Sequence, residues 1–235
     1  MPNSISAEIE YFFQEGKENL QDCLRISFET AVRRQIKTLV IFTGMGVGPK
    51  LAIQEFRSQE RYEDIKIIAV TFPSGKFKGK EATREIPPNE RQFLRDNDVP
   101  VLRAHLPFDP IAAHHKDHGI LGQDLSLIGN VLNIFCGSMS LCVQAAIMAC
   151  DAGEVELGEH VIALTSDTAI LARTCPTEKL LTDFIVREIL CKPMSLTVTK
   201  KEQGLTAPPS QLTLEGLIEK PDSSEPEILL PPSKI

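Results

Sequence analysis

The chain has 235 residues and a mass of 26.0 kDa, with 42% hydrophobic and 24% charged side chains. That much apolar material builds a core, which excludes wholesale disorder and allows one large domain or two small ones. Its 25 Lys+Arg against 32 Asp+Glu leave a formal charge of −7, with no tryptophan and two tyrosines; neither the basic face nor the stacking platform of a nucleic-acid binder is expected.

Residues 18–34 read as a first helix, with Leu20, Leu24, Ser27, Phe28, Ala31 and Val32 on one stripe. Leu39, Val40, Ile41 and Phe42 form a short apolar strand of the kind covered on both faces in parallel sheets. A glycine-rich turn follows, then a helix over about 49–57 and a second strand over 65–70. Residues 88–97 suggest a short polar helix, and 101–104 a third strand. Between Leu125 and Cys150 run 26 residues without a charged side chain. That length would span a bilayer, but Asn130, Asn133 and Gln144 interrupt it and no basic cluster flanks it, so it reads as one buried helix of a core. Strands follow at 160–164 and 168–172, then an amphipathic helix over 177–190 that stops before Pro193. The alternation predicts an α/β fold: a three-layer sandwich around a mostly parallel sheet, occupying residues 1–200.

The last segment, 201–235, differs in kind. It holds six of the sixteen prolines and three lysines against six acidic residues, so −3 of the −7 falls there. It reads as a disordered or docking tail, with apolar patches at 212–218 and 228–230.

The six cysteines, Cys23, Cys136, Cys142, Cys150, Cys175 and Cys191, form no C-x-x-C pair. No basic n-region with an apolar run opens the chain, so reduced thiols and a cytoplasmic setting are expected. His114, His115 and His118 with Asp117 are the most metal-like group, but Pro107, Pro110 and Gly119 bracket them as a loop and no fourth ligand is evident. No G-x-S-x-G elbow supports a hydrolase triad.

The strongest local feature is the turn Thr43-Gly44-Met45-Gly46-Val47-Gly48-Pro49-Lys50, set between a strand and a helix. Its glycines let backbone approach a ligand, and the following helix directs unsatisfied N–H groups at the turn. Thr43 could add a hydroxyl and Lys50 a charge, which together point to an anion or phosphate site. Pro49 and Leu51 depart from the Walker A loop, and the third glycine comes one residue early for a dinucleotide fingerprint. A second candidate is Thr165-Ser166-Asp167-Thr168, after the fourth strand, where ligands of open α/β sheets collect. In both places a purely structural turn remains the alternative.

Several segments recur together in a familiar order. They are Tyr11-Phe12 with Gly16-Lys17-Glu18-Asn19, the strand–turn–helix of 39–57, the run from Ala145 through Asp151-Ala152-Gly153 to Gly158-Glu159-His160-Val161-Ile162-Ala163, and Arg187-Glu188-Ile189-Leu190-Cys191-Lys192-Pro193. Over residues 10–195 the chain resembles the stand-alone proteins related to the C-terminal α/β domain of pyruvate kinase. The resemblance implies that domain's α/β sandwich without the catalytic barrel, hence no pyruvate kinase activity. There the turn after the first strand holds a phosphate of a sugar bisphosphate, and the matching turn here is Thr43 to Lys50. A flavin mononucleotide or another phosphorylated ligand would then be the occupant. The family's longer G-T-G-x-G-A-D-T turn is cut here to Thr165-Ser166-Asp167-Thr168.

These readings lead to a protein that binds a phosphorylated small molecule or nucleotide, with Thr43, Gly44, Gly46, Gly48, Lys50, Thr165, Ser166 and Thr168 at the ligand. A flavin- or phosphate-handling enzyme stays open, with Asp167, His105 or the His group as its titratable residue. So does a structural or regulatory subunit, a homo-oligomer assembled through the buried helix and the tail.

Overall fold

The computed structural model describes Ser4 and residues 6–76, 85–109 and 123–194, with backbone alone for 123–126. The His114, His115, His118 and Asp117 group and the 201–235 tail lie outside these residues.

Strand β1 (Glu10–Phe12) leads through one 3-10 turn (Lys17–Asn19) into α1 (Leu20–Arg34). Strand β2 (Thr38–Phe42) is followed by α2 (Val47–Leu51), which widens into a π-helical stretch (Ala52–Arg57). Then come β3 (Lys66–Thr71), α3 (Pro88–Asp96), β4 (Val101–Arg103), α4 (Gln123–Leu132) and α5 (Met139–Asp151). The chain closes with β5 (His160–Leu164), β6 (Ala169–Arg173), the single turn α6 (Leu180–Asp183) and β7 (Ile185–Pro193).

The seven strands form one sheet in the order β1-β7-β6-β5-β2-β3-β4. Pairs β1–β7, β2–β3, β2–β5 and β3–β4 are parallel, while β5–β6 and β6–β7 are antiparallel. Successive side chains of a strand point to opposite faces, and the two cores sort accordingly. On one side Leu39, Ile41, Ile67 and Leu164 pack with Leu24 and Phe28 of α1; on the other Val40, Phe42, Ile68 and Val70 pack with Val143 and Ile147 of α5. Helices on both faces make the three-layer α/β sandwich that the alternation predicts. All five residues of β2 are buried, as a strand covered on both faces requires.

Two expectations are corrected. The 26-residue uncharged run is two helices, broken where the bonds Ile134 N–H to Val131 O (3.2 Å) and Phe135 N–H to Leu132 O (3.1 Å) tighten the end of α4. Asn133 and Gly137, poor helix formers, fall in this break. Among the described residues no helix is long and apolar enough to cross a membrane.

The second correction concerns 177–190, which is helical only over a 3-10 turn (Thr177–Lys179) and the single turn α6. After α6 the backbone extends at Phe184 (ψ 130°) and runs as the nine-residue β7. The period of Leu180, Leu181, Phe184 and Ile185 suits a helix, yet Ile185, Val186 and Ile189 are β-branched and equally suit a strand. The antiparallel β6 decides between them, because its outer N–H and C=O groups need a partner. Strand β1, three residues long, then pairs with the far end of β7.

Under α1, the Phe28 and Phe56 rings stack at 5.0 Å between centroids, and Tyr62 packs on Phe28 at 5.1 Å. Tyr62 is 1% exposed, and its hydroxyl meets no hydrogen-bond partner among the described residues. An unpaired buried hydroxyl costs free energy that its ring does not recover through bonding. The substitution Tyr62→Phe should therefore leave the protein as stable or raise stability by about 1 kcal/mol, read as the midpoint of chemical denaturation; a loss of that size would reveal a partner for the hydroxyl.

Candidate functional site

The chain leaves β2 towards β3 and β4, then returns through α4 and α5 to β5 on the other side of β2. Between the carboxyl ends of β2 and β5 the winding therefore reverses. Open α/β sheets bind ligands in the crevice at such a switch point, because the connections leave it uncovered. The turns at 43–50 and 165–168 flank this point. Ile41 pairs with Leu164, so Thr43 and Thr165 each lie just past the paired ends of adjacent strands.

Thr43 continues the ladder by donating its N–H to Val70 O (2.8 Å), and its Oγ1 accepts the Gly46 N–H (3.0 Å). Gly46 adopts φ 86°, a left-handed conformation that favours glycine, and a Cβ there would lie 3.2 Å from Ile86 Cγ2. Gly48 serves another purpose. A Cβ at this position would come within 3.1 Å of Ile41 Cγ2, so its absence lets the helix close on β2. Pro49 sits in the first helical turn, where its missing N–H has no intrahelical acceptor to lose. The N–H groups of Gly44, Met45 and Val47 bond no backbone oxygen of the described residues, and the Met45 and Val47 side chains are exposed.

Lys50 turns away from this turn. Its Nζ pairs with Glu90 Oε1 of α3 at 2.9 Å and stands 5.6 Å from the centre of the Phe93 ring. The lysine thus ties α2 to α3, and the turn offers backbone donors without a side-chain cation from Lys50.

The second turn is a β-hairpin, closed by the Thr165 N–H to Thr168 O bond (2.9 Å). Asp167 is 3% exposed and organises it from within. Its Oδ2 accepts the Gly16 N–H (3.0 Å), and its Oδ1 accepts the hydroxyls of Thr168 (3.1 Å) and Thr165 (3.3 Å). Thr165 and Thr168 therefore point their donors at Asp167. Ser166, at the tip and half-buried, is the one hydroxyl of this turn with no bond among the described residues.

Four cysteines converge on the same hairpin, a grouping invisible in a sequence that spreads them from position 23 to 191. Cys23 donates to Thr165 O (3.5 Å), Cys142 to Thr168 O (3.4 Å), and Cys136 Sγ lies 3.3 Å from Thr168 Oγ1. Cys191 Sγ stands 3.5 Å from Cys23 Sγ. Burial pushes the Cys23 and Cys142 thiols well above the usual range, with Cys191 adding to the effect on Cys23, and burial raises Cys136 as well. These groups act as small apolar fillers and weak donors.

Among the other candidates, His105 is exposed beyond the end of β4. No group of three or more His, Cys, Asp or Glu among the described residues is arranged to hold a metal. A hollow of about 580 Å³ opens at the opposite edge, between Lys37, His160 and Arg187, where Arg34 is paired with Glu188 at 2.8 Å. It is away from both turns and from the switch point. No family model matches the chain.

Removing the buried carboxylate by Asp167→Ala leaves two hydroxyls and the Gly16 N–H without their acceptor. The expected loss is about 3 kcal/mol of unfolding free energy, and an unchanged denaturation midpoint would mean that the hairpin holds without it. The thiols give a second expectation. With iodoacetamide at mildly alkaline pH, the native protein should label at the partly exposed Cys150 before Cys23 and Cys142, which need unfolding to react. Mapping by peptide mass spectrometry reads that order directly.

Proposed function

We propose that the chain binds the phosphate group of a small molecule or nucleotide, with flavin mononucleotide a specific candidate, at the β2–α2 turn. One observation carries this reading: the N–H groups of Gly44, Met45 and Val47 stand without backbone acceptors at the switch point of the sheet. Phosphate oxygens are strong acceptors, and successive glycine-turn N–H groups ahead of a helix are suited to them. Thr43 shapes the turn through Gly46, and Ser166 supplies a hydroxyl across the crevice. The resemblance to the pyruvate kinase C-terminal α/β domain supports the same turn, since that domain holds a phosphate of a sugar bisphosphate at the matching turn.

Binding without chemistry is the better reading of this site. The hairpin's carboxylate, Asp167, is already filled by three donors, and Glu90, whose Cβ lies 3.7 Å from where a Gly46 Cβ would stand, is paired with Lys50. The other engaged residues, Gly48, Lys50, Thr165 and Thr168, hold the two turns in place. In the cell this would be a cytoplasmic metabolite binder, in keeping with its free thiols.

Thermal unfolding with FMN, sugar phosphates and nucleotides tests the reading. A ligand at a hundred times its Kd adds about 2.7 kcal/mol to the native state, and a rise in Tm of that origin should vanish in Gly46→Val and shrink in Ser166→Ala. No rise with any of these ligands, or a rise that Gly46→Val preserves, would overturn it.

A further inference from the structure

Strand β1 ends the sheet, with β7 on one side and no described strand on the other. Phe12 O accepts the Met194 N–H at 2.8 Å, so Phe12 turns its backbone groups towards β7. Backbone direction alternates along a strand, so the N–H and C=O of Tyr11 face the open edge. Side chains alternate as well. Phe12 is buried against α1, while Ile9, Tyr11 (46% exposed) and Phe13 (58% exposed) share the opposite face.

That apolar stripe continues onto the link between α4 and α5. Lys192 Nζ lies 5.3 Å from the centre of the Tyr11 ring and 3.0 Å from Phe135 O, which sets Phe135 and the 75% exposed Ile134 beside β1. Natural sheets blunt an open edge with charge, proline or a covering element. Here the strand's own charge, Glu10, lies on the other face and is held by Arg25 at 3.1 Å, and the Lys192 ammonium beside Tyr11 belongs to β7 and is bonded to Phe135 O.

We propose that this edge joins two copies of the chain, with β1 antiparallel to its mate and Tyr11 opposite Tyr11 on a twofold axis. The register follows from parity. The outward backbone groups belong to Tyr11, so the axis at this residue lets the two copies exchange a pair of N–H···O bonds. The same axis sets Ile9 across from Phe13 and brings both apolar stripes onto one face. An axis at Glu10 or Phe12 would instead oppose backbone groups of the set already turned to β7. Charge agrees with this choice, because Glu10 then meets Phe12 and no like charges face each other. A pattern that complements itself about a point is what an isologous interface needs, which favours a second copy over an unrelated strand. The site at the β2–α2 turn stays open, since β7, β6 and β5 separate β1 from β2.

Sedimentation of the full chain over micromolar concentrations tests the proposal. The wild type should be a dimer. Tyr11→Pro removes the outward N–H and fills the edge with the proline ring, while the β7-facing backbone groups of Phe12 are kept; its dimer dissociation constant should rise at least about tenfold. Phe13→Lys, which keeps every backbone group, should weaken the dimer likewise and serves if Tyr11→Pro does not fold. Val186→Lys, at the opposite end of β7, should leave dimerisation unchanged. A monomeric full chain, or a dimer that both Tyr11→Pro and Phe13→Lys leave intact, would overturn the proposal.

Discussion

The carboxylate of Asp167 is the contact on which the rest of the architecture turns. It gathers the hydroxyls of Thr165 and Thr168 and the Gly16 N–H, so one buried group closes the β5–β6 hairpin and anchors the segment that leads into α1. A buried carboxylate is tolerated only when its lone pairs are filled, and three donors fill it here. Because the hairpin reverses the chain immediately after β5, the parallel winding stops there. Strand β6 then runs antiparallel, and β7 follows to satisfy it.

This reversal also shapes the proposed ligand edge. In a sheet wound with helices throughout, β5 would end in a helix and that helix would face the crevice. Here a compact hairpin ends β5, its threonine hydroxyls drawn inward and the thiols of Cys23 and Cys142 packed against it, and the backbone of the β2–α2 turn stands across from it. The donors on this edge are consequently main-chain groups, with the Ser166 hydroxyl the exception. Side chains that look equipped for an anion, above all Lys50, serve to brace neighbouring helices.

At the other end of the sheet the same event has a structural cost. Among the described residues, adding β7 and then β1 moves the open edge outward but does not remove it. The short β1 carries a buried residue on one face and apolar residues exposed on the other, a pattern unlike a surface meant to stay in water.

Much of the parallel half was legible in the amino-acid order. Leu39 to Phe42 and residues 65–70 are local apolar runs, and a strand buried on both faces needs no further instruction than that. The glycine turn is equally local, since Gly46 must enter a left-handed conformation and Gly48 must admit a neighbouring side chain wherever the rest of the chain goes. What only the tertiary structure decided depends on partners distant in sequence. Residues 185–193 fit helix and strand alike until β6 presents an open edge, and Thr165 and Thr168 fit ligand or scaffold alike until Asp167 and the cysteines close around them. Local runs express backbone preference and burial, which the sequence carries by itself; hydrogen-bond direction belongs to whichever acceptor the fold brings within reach.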